Sequence, residues 1–171
     1  MIGKARLQDA EEIQQILAPF AEGGELLPLT LNDIYTKVRS FYIFRELATG
    51  PILGVCSLQI TWADLGEIRS LAVRPESQGR GVGSKLVEAC LAEGRELGLA
   101  RIFTLTYRPE FFERLGFALI DKVELPHKVW NDCIRCQHYF DCNETALIKD
   151  LSGAAQTCAE KPQSGPFRIV G

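Results

Sequence analysis

Apolar residues recur along the chain at two spacings, one typical of helices and one typical of strands. One helix is predicted by apolar residues that recur every three or four positions, namely Ile13, Ile16, Leu17 and Phe20. Asp9 is placed to cap that helix, and Thr30 precedes a second, shorter one. Residues 84–97 repeat the helical spacing, and Pro109 opens a fourth helix over 110–115.

Runs of apolar and β-branched residues between these helices predict strands. They lie at 4–7, 41–47, 52–60, 67–73, 101–105, 117–120 and 144–148. Thr49-Gly50-Pro51 is a strong turn signal between the second and third strands. The predicted order is β-αα-βββ-α-β-α-ββ, which indicates an α/β (α+β) fold with a mixed sheet and helices on both sides.

Composition and charge fit one folded domain. The 171 residues are 46% hydrophobic and 24% charged, so we expect a domain over 1–151 and a poorly ordered tail over 152–171. The net charge of -3, with scattered basic residues, argues against nucleic acid or an anionic membrane surface as the partner. No apolar run approaches the ~18 residues of a membrane span, and no signal-peptide pattern is present. Six cysteines in a chain of this size then favour reduced thiols and a cytoplasmic protein.

A glycine-rich loop lies between the strand over 67–73 and the helix over 84–97. Its sequence is Gln78-Gly79-Arg80-Gly81-Val82-Gly83. Glycines allow tight turns and close approach of a ligand, and the amides at a helix start attract negative charge. A pyrophosphate is therefore the natural ligand, and a turn that binds nothing is the alternative. A Rossmann loop would need glycine where Ser84 stands, and no Walker lysine follows.

The loop and its flanks resemble the acetyl-CoA loop of the GNAT acetyltransferase family. The pattern Gln78-x-x-Gly81-x-Gly83 follows residues 71–76, and the run 112–117 is similar to the late helix-to-strand junction of that fold. The resemblance covers residues 1–150 and implies a mostly antiparallel GNAT sheet with acetyl-CoA as co-substrate. It also implies that the cofactor is bound by Leu71, Ala72, Val73, Gln78, Gly79, Arg80, Gly81, Val82, Gly83, Ser84 and Phe112.

Transfer of an acetyl group to a protonated amine requires a base, and Glu67 is the best candidate. Strand alternation predicts that Glu67, Arg69, Leu71 and Val73 share one face of their strand. Glu67 also falls where several GNAT enzymes carry a catalytic glutamate. The alternative is a carboxylate in solvent or paired with Arg69. The backbone N–H of Leu71 or Val73 is a candidate donor to the thioester oxygen.

The proton donor to the leaving thiolate is less clear from the sequence. GNAT enzymes usually carry a tyrosine where this chain has Phe112, and phenylalanine cannot donate a proton. Tyr107 is therefore the catalytic candidate, with Ser84, a water or an unprotonated thiolate as alternatives.

Several runs are similar to short, stand-alone N-acetylglutamate synthases. They are 22–28, 67–73, 109–117, 125–130 and the cysteine segment 133–142. This similarity implies acetylation of the α-amine of L-glutamate, the first step of arginine biosynthesis. An acceptor with two carboxylates calls for cations, and the candidates are Arg69 first, then Arg39, Lys128 and Arg108. One departure is Leu29, where the group tends to carry a basic residue.

Other interpretations stay open at this stage. Cys133, Cys136, His138 and Cys142 offer a zinc-ligand set, although reduced thiols that pack a loop explain them as well. The acceptor could instead be another small amine or a protein N-terminus. A third hypothesis is a module that binds acetyl-CoA without catalysing transfer. A homodimer is also compatible with the sequence.

Overall fold

The computed structural model describes residues 1–125 and 143–152, which form helices packed on one mixed sheet. The helices are α1 (Ala10–Glu22), α2 (Leu31–Thr36), α3 (Val82–Glu96) and α4 (Pro109–Glu113). The strands are β1 (Ile2–Lys4), β2 (Phe41–Phe44), β3 (Gly54–Trp62), β4 (Leu65–Val73), β5 (Arg101–Thr106), β6 (Ala118–Leu119) and β7 (Thr145–Asp150). This order is the one predicted from the spacing of apolar residues.

The strands lie side by side in the order β1-β2-β3-β4-β5-β7-β6. Neighbouring strands are antiparallel except for β4 and β5, which are parallel. The crossover connection between these two parallel strands contains α3. The predicted mixed, mostly antiparallel sheet is therefore confirmed.

Helices cover both faces of the sheet, and the sheet divides the core into two main parts. The α3 side contains Cys56, Leu58, Ile68, Leu86, Val87, Cys90 and Ile102, among others. The α1/α2 side contains Ile13, Ile16, Leu17, Ile34, Phe41, Val55 and Ala72, among others. Burial of Ile13, Ile16 and Leu17 confirms the apolar face predicted for α1.

The start of α1 differs from the prediction. The Asp9 side chain does not cap the helix. It accepts hydrogen bonds from the backbone N–H of Arg6 at 2.8 Å and from the Arg45 guanidinium at 2.6 Å. Asp9 is almost fully buried. Burying an unpaired carboxylate costs more free energy than losing a helix cap, so the side chain pairs with Arg45 instead.

The end of α1 places a charged residue at a fixed point. Gly24 has a φ of +75°, which ends the helix in a left-handed turn. The backbone N–H of Glu25 then donates to the carbonyl of Phe20 at 2.8 Å. Glu25 therefore follows α1 in a turn held by the main chain.

β4 and β5 pair at one end and separate at the other. Their parallel register ends where Glu67 lies opposite Phe103. At the next position, the buried hydroxyl of Thr104 donates to the carbonyl of Ile68 at 3.0 Å. The side chain thereby takes the place of a backbone bond, and the sheet opens beyond it.

β4 also contains an extra residue relative to its other neighbour. Arg69 lies opposite Ser57, whereas Ala72 lies opposite Val55, so three steps on β4 match two on β3. Ser70 has a φ of +52°, the left-handed region that few residues other than glycine adopt. This is a β-bulge, which shifts the side-chain alternation of the strand by one.

The bulge overturns one prediction from the sequence. Glu67, Arg69, Leu71 and Val73 were expected to share a face. Instead, Leu71 and Val73 pack with Ile68 against the core on the α3 side. Glu67 and Arg69 contact each other and project from the opposite face, the α1/α2 side.

Candidate active site

An open cleft of about 630 Å³ begins where β4 and β5 separate. It is lined by the second half of β4, the glycine loop, the start of α3, the end of β5, α4 and the end of α1. The lining includes Phe20, Glu25, Leu26, Ile68, Arg69, Ser70, Leu71, Ala72, Val73, Gln78, Gly79, Gly81, Val82, Gly83, Ser84, Thr104, Thr106, Tyr107, Arg108, Phe111 and Phe112. The cleft therefore joins residues from the two faces of the sheet.

The glycine loop forms one end of the cleft. Gly79 and Gly81 have φ values of +72° and +75°, and Gly81 is the N-cap of α3. A Cβ on Gly83 would lie 3.3 Å from the Phe111 ring, which is a tight contact, so glycine favours the close packing there. α3 begins at Val82 rather than at Ser84 as predicted, because the left-handed Gly81 starts the helix earlier.

This end of the cleft has the chemistry of an anion site. The first amides of a helix have no partner within the helix, and its dipole favours negative charge. Residues 79–84 line the cleft with these amides, apart from Arg80, whose side chain pairs with Glu46 outside it. The Gln78 side chain donates to the Val73 carbonyl at 3.0 Å and holds the loop against β4. The arrangement can hold a diphosphate.

The middle of the cleft is the separated edge of β4. Past Glu67 the strand no longer pairs with β5, so its edge faces the cleft instead of a neighbour. Leu71, Ala72 and Val73 lie on this edge. An extended ligand with amide groups can pair with such an edge as an added strand would.

Two charged side chains stand at the closed end of this gap, on the α1/α2 side. The Glu67 residue is 9% exposed, and its Oε1 lies 3.6 Å from Nε of Arg69. Arg69 lines the cleft, whereas Glu67 lies beside it and is not part of the lining. A carboxylate next to a cleft can accept a proton, and a guanidinium can hold a carboxylate of a ligand.

The aromatic residues of α4 supply an apolar wall. Phe112 is 4% exposed and packs edge to face against Phe111 and Phe117, with ring centroids 5.0 and 5.4 Å away. It lines the cleft as an apolar contact. Tyr107 also lines the cleft and is 38% exposed. Its phenol is a possible proton donor, which the Phe112 side chain is not.

The far end of the cleft combines Arg108, one of the predicted acceptor-binding cations, with residues that the sequence did not mark as site residues. Phe20 lies in the last turn of α1, Glu25 and Leu26 follow that helix, and Arg108 faces them from the turn before α4. Nε and Nη2 of Arg108 both contact Oε2 of Glu25, at 3.3 and 2.9 Å. The two residues are 83 positions apart, and no local pattern indicates their pairing.

Some predicted site residues lie elsewhere. Arg39 is exposed in the turn before β2 and does not line the cleft, so its role stays a prediction without support from the cleft geometry. Leu29 packs against the core on the α1/α2 side. Lys128, the zinc candidates Cys133, Cys136, His138 and Cys142, and the tail from residue 153 onward lie outside the described residues.

Two kinds of feature are absent from the described part of the chain. Residues 1–125 and 143–152 contain no group of three or more His, Cys, Asp or Glu residues that could hold a metal ion. Over the same residues, every helix is too short or too polar to pass through a lipid bilayer.

Comparison with known sequences points to one family. A family model described as the Acetyltransferase (GNAT) family matches residues 7–117. An uncharacterised N-acetyltransferase of Chlorobaculum tepidum is 35% identical over 150 residues, which is 88% of this chain and 96% of that protein. An amino-acid acetyltransferase of Mycobacterium tuberculosis is 35% identical over 136 residues, which is 79% of this chain and 78% of that protein.

Solved structures show the same fold. An N-acetylglutamate synthase from Neisseria gonorrhoeae, complexed with coenzyme A and N-acetyl-glutamate, matches with a TM-score of 0.80 at 28% identity. The match covers 88% of this chain and 35% of that one. A Mycobacterium tuberculosis protein in complex with CoA matches with a TM-score of 0.76 at 29% identity, over 88% of this chain and 98% of that one. Sequence, sheet topology and glycine loop agree, and the chain belongs to the GNAT family of acetyltransferases.

Proposed function

We propose that this acetyltransferase moves the acetyl group of acetyl-CoA to the α-amine of L-glutamate, the first step of arginine biosynthesis. The observation that carries the proposal is a single cleft that joins the α3 amides at one end to Arg69 and Arg108 at the other. The similarity to amino-acid acetyltransferases and to an N-acetylglutamate synthase supports the acceptor class.

Acetyl-CoA fits the first half of the cleft. Its diphosphate would lie on the amides of residues 79–84, where Gly79 and Gly81 leave room for close approach. Its pantetheine amides would pair with the free edge of β4 near Leu71–Val73. The acetyl group would then reach the gap between β4 and β5.

The acceptor would enter from the α1/α2 side. The bulge at Ser70 turns Glu67 and Arg69 to that side, whereas Leu71 and Val73 pack toward α3. Donor and acceptor therefore approach the gap from different faces of the sheet. This geometry suits direct transfer, because neither substrate has to leave for the other to bind.

The reaction proceeds by attack of the neutral amine on the thioester carbon. Glu67, directly or through a water, takes the proton that the ammonium must lose. A backbone N–H of Leu71 or Val73 donates to the carbonyl oxygen as negative charge develops there. The carbon–sulfur bond breaks and CoA leaves as the thiolate. The acylated nitrogen loses its second proton to solvent, and Tyr107 or solvent supplies a proton to the thiolate.

A thiol-release assay tests this function. We expect CoA release from acetyl-CoA that depends on L-glutamate, with N-acetylglutamate identified by mass spectrometry. A matched control is N-acetylglutamate itself, which keeps both carboxylates but has no free amine. L-Aspartate, L-glutamine, polyamines and peptides complete the panel of acceptors.

Each other result has a definite meaning. Release with polyamines or peptides only would contradict an amino-acid acceptor while leaving the chemistry intact. Binding of acetyl-CoA without any release would contradict the enzymatic function. A cytoplasmic location, a homodimer and a folded unit over residues 1–151 also belong to the proposal.

A further inference from the structure

The ion pair between Glu25 and Arg108 closes the acceptor end of the cleft. Glu25 lies in the turn after α1, and Arg108 lies in the turn between β5 and α4. Both side chains line the cleft. No other salt bridge among the described residues has both of its members in that lining.

Main-chain contacts fix both partners. The N–H of Glu25 donates to the Phe20 carbonyl at 2.8 Å, at the end of α1. The N–H of Arg108 donates to Oγ1 of Thr106 at 3.0 Å, and Pro109 follows as the first residue of α4. The two charges therefore face each other because of the fold, and a bound acceptor would meet both.

The contact itself is weak and replaceable. Two nitrogens of Arg108 share the single oxygen Oε2 of Glu25, whereas a guanidinium can hold two carboxylate oxygens in a fork. The side chains are 68% and 41% exposed for Arg108 and Glu25. Exposed pairs of this kind contribute little to stability and are screened by salt.

We propose that Arg108 selects a dicarboxylic acceptor by binding its side-chain carboxylate, and that Glu25 weakens this binding by competing for the same guanidinium. This inference rests on the proposed function, because it requires an acceptor with a second carboxylate. A dicarboxylic acceptor displaces Glu25 and binds the guanidinium. A neutral acceptor cannot displace it, so Arg108 stays neutralised and offers such a molecule no charge to bind.

The two partners therefore predict opposite effects when each is neutralised. Glu25→Gln removes the competitor, and the KM for L-glutamate should fall by up to about fivefold, the scale of an exposed ion pair. Arg108→Gln removes the binding charge, and the same KM should rise by at least about tenfold. Arg108→Lys keeps the charge without the fork and should lie between. The KM for acetyl-CoA and for L-glutamine should change little.

Asp64→Asn is the matched control. Asp64 forms an exposed ion pair with Arg101 at 3.1 Å, and neither residue lines the cleft. This variant should leave the KM for L-glutamate unchanged. If Glu25→Gln and Arg108→Gln instead both raise it, the pair is only a clamp between two turns and the inference is overturned. Unchanged KM values in both variants overturn it as well.

The wild-type protein separates this inference from the proposed function. If it acetylates L-glutamate but the variants shift KM in the same direction, only the role of Glu25 fails. If the wild type acetylates no acidic amino acid, the proposed acceptor and the role of Glu25 fail together.

Discussion

Glu67 and Arg69 form the charged pair nearest the point where β4 and β5 separate. The carboxylate is mostly shielded from solvent and lies 3.6 Å from the guanidinium. Two roles are therefore available within one pair. In the proposed reaction, Glu67 would receive a proton from the acceptor amine, and Arg69 would bind a carboxylate of the same molecule.

Replacing Glu67 by glutamine tests the first role. Glu67→Gln keeps the shape of the side chain but cannot take a proton, so kcat should fall by roughly 10²-fold or more. The dependence of kcat on pH should also change, because the variant has no carboxylate to take the proton. Steady-state kinetics between pH 6 and 9 measure both.

Glu88→Gln makes the same change on the exposed surface of α3 and should retain wild-type rates. An unaltered profile for Glu67→Gln would remove it as the base.

At the residue scale, the sequence predicted correctly only those placements that follow from the local spacing of residues on a strand. A spacing of two on a strand correctly placed Glu67 beside Arg69. The same rule failed for Leu71 and Val73, because the bulge at Ser70 depends on the register with β3. The Glu25–Arg108 pair was out of reach for a related reason, since it joins segments that only the tertiary fold brings together.

At the level of elements, the loop before α3 depends on backbone conformation more than on side chains. Gly81→Ala forces a side chain into a left-handed position, at a cost of about 1–2 kcal/mol, although no atom lies within 4 Å of the new Cβ. The loop amides should turn away from the ligand, and the KM for acetyl-CoA should rise by about tenfold, equivalent to ~1.4 kcal/mol. Thiol-release kinetics with varied acetyl-CoA measure this.

Gly98 provides a matched control at the other end of the same helix. Its φ is +77°, and a Cβ there also meets nothing within 4 Å. Gly98→Ala should therefore lower the melting temperature about as much as Gly81→Ala while leaving the KM for acetyl-CoA unchanged. Equal KM values for the two variants would mean that the loop does not hold the diphosphate.

The elements themselves were largely predictable, and their arrangement was not. Within residues 1–125 and 143–152, apolar spacing and glycine stops located each α-helix and strand in order, with ends shifted by a few residues. The separation of β4 from β5 depends on Thr104, whose buried hydroxyl replaces a backbone bond to Ile68. A single threonine within an apolar strand is a weak signal, because strands often contain threonine for other reasons.

The whole molecule has a core divided by the sheet, and the part on the α3 side is directly next to the glycine loop. Val82 and Leu86 of α3 pack in the same cluster as Cys56 of β3 and Cys90 of α3. Both cysteines are fully buried, and their sulfur atoms are 3.6 Å apart. The hydrogen bond with Cys90 and burial raise the pKa of the Cys56 thiol well above its ordinary value. These thiols therefore report on unfolding of the core.

Acetyl-CoA should protect these two thiols through the stability of the whole domain. A buried neutral thiol reacts with iodoacetamide only after the core opens, so labelling at pH 8 should be slow in the native protein. A ligand that binds only the folded state at 100 times its Kd should slow the labelling by about 100-fold. Quenched samples analysed by peptide mass spectrometry give the rate for Cys56 and Cys90 separately, and protein in guanidinium chloride gives the unprotected rate.

Fast labelling of the native protein would contradict the burial of this pair, whereas slow labelling that acetyl-CoA does not change would contradict binding at the loop. Because the thiols lie in the core and not in the cleft, such protection reports stabilisation of the fold rather than direct shielding by the ligand.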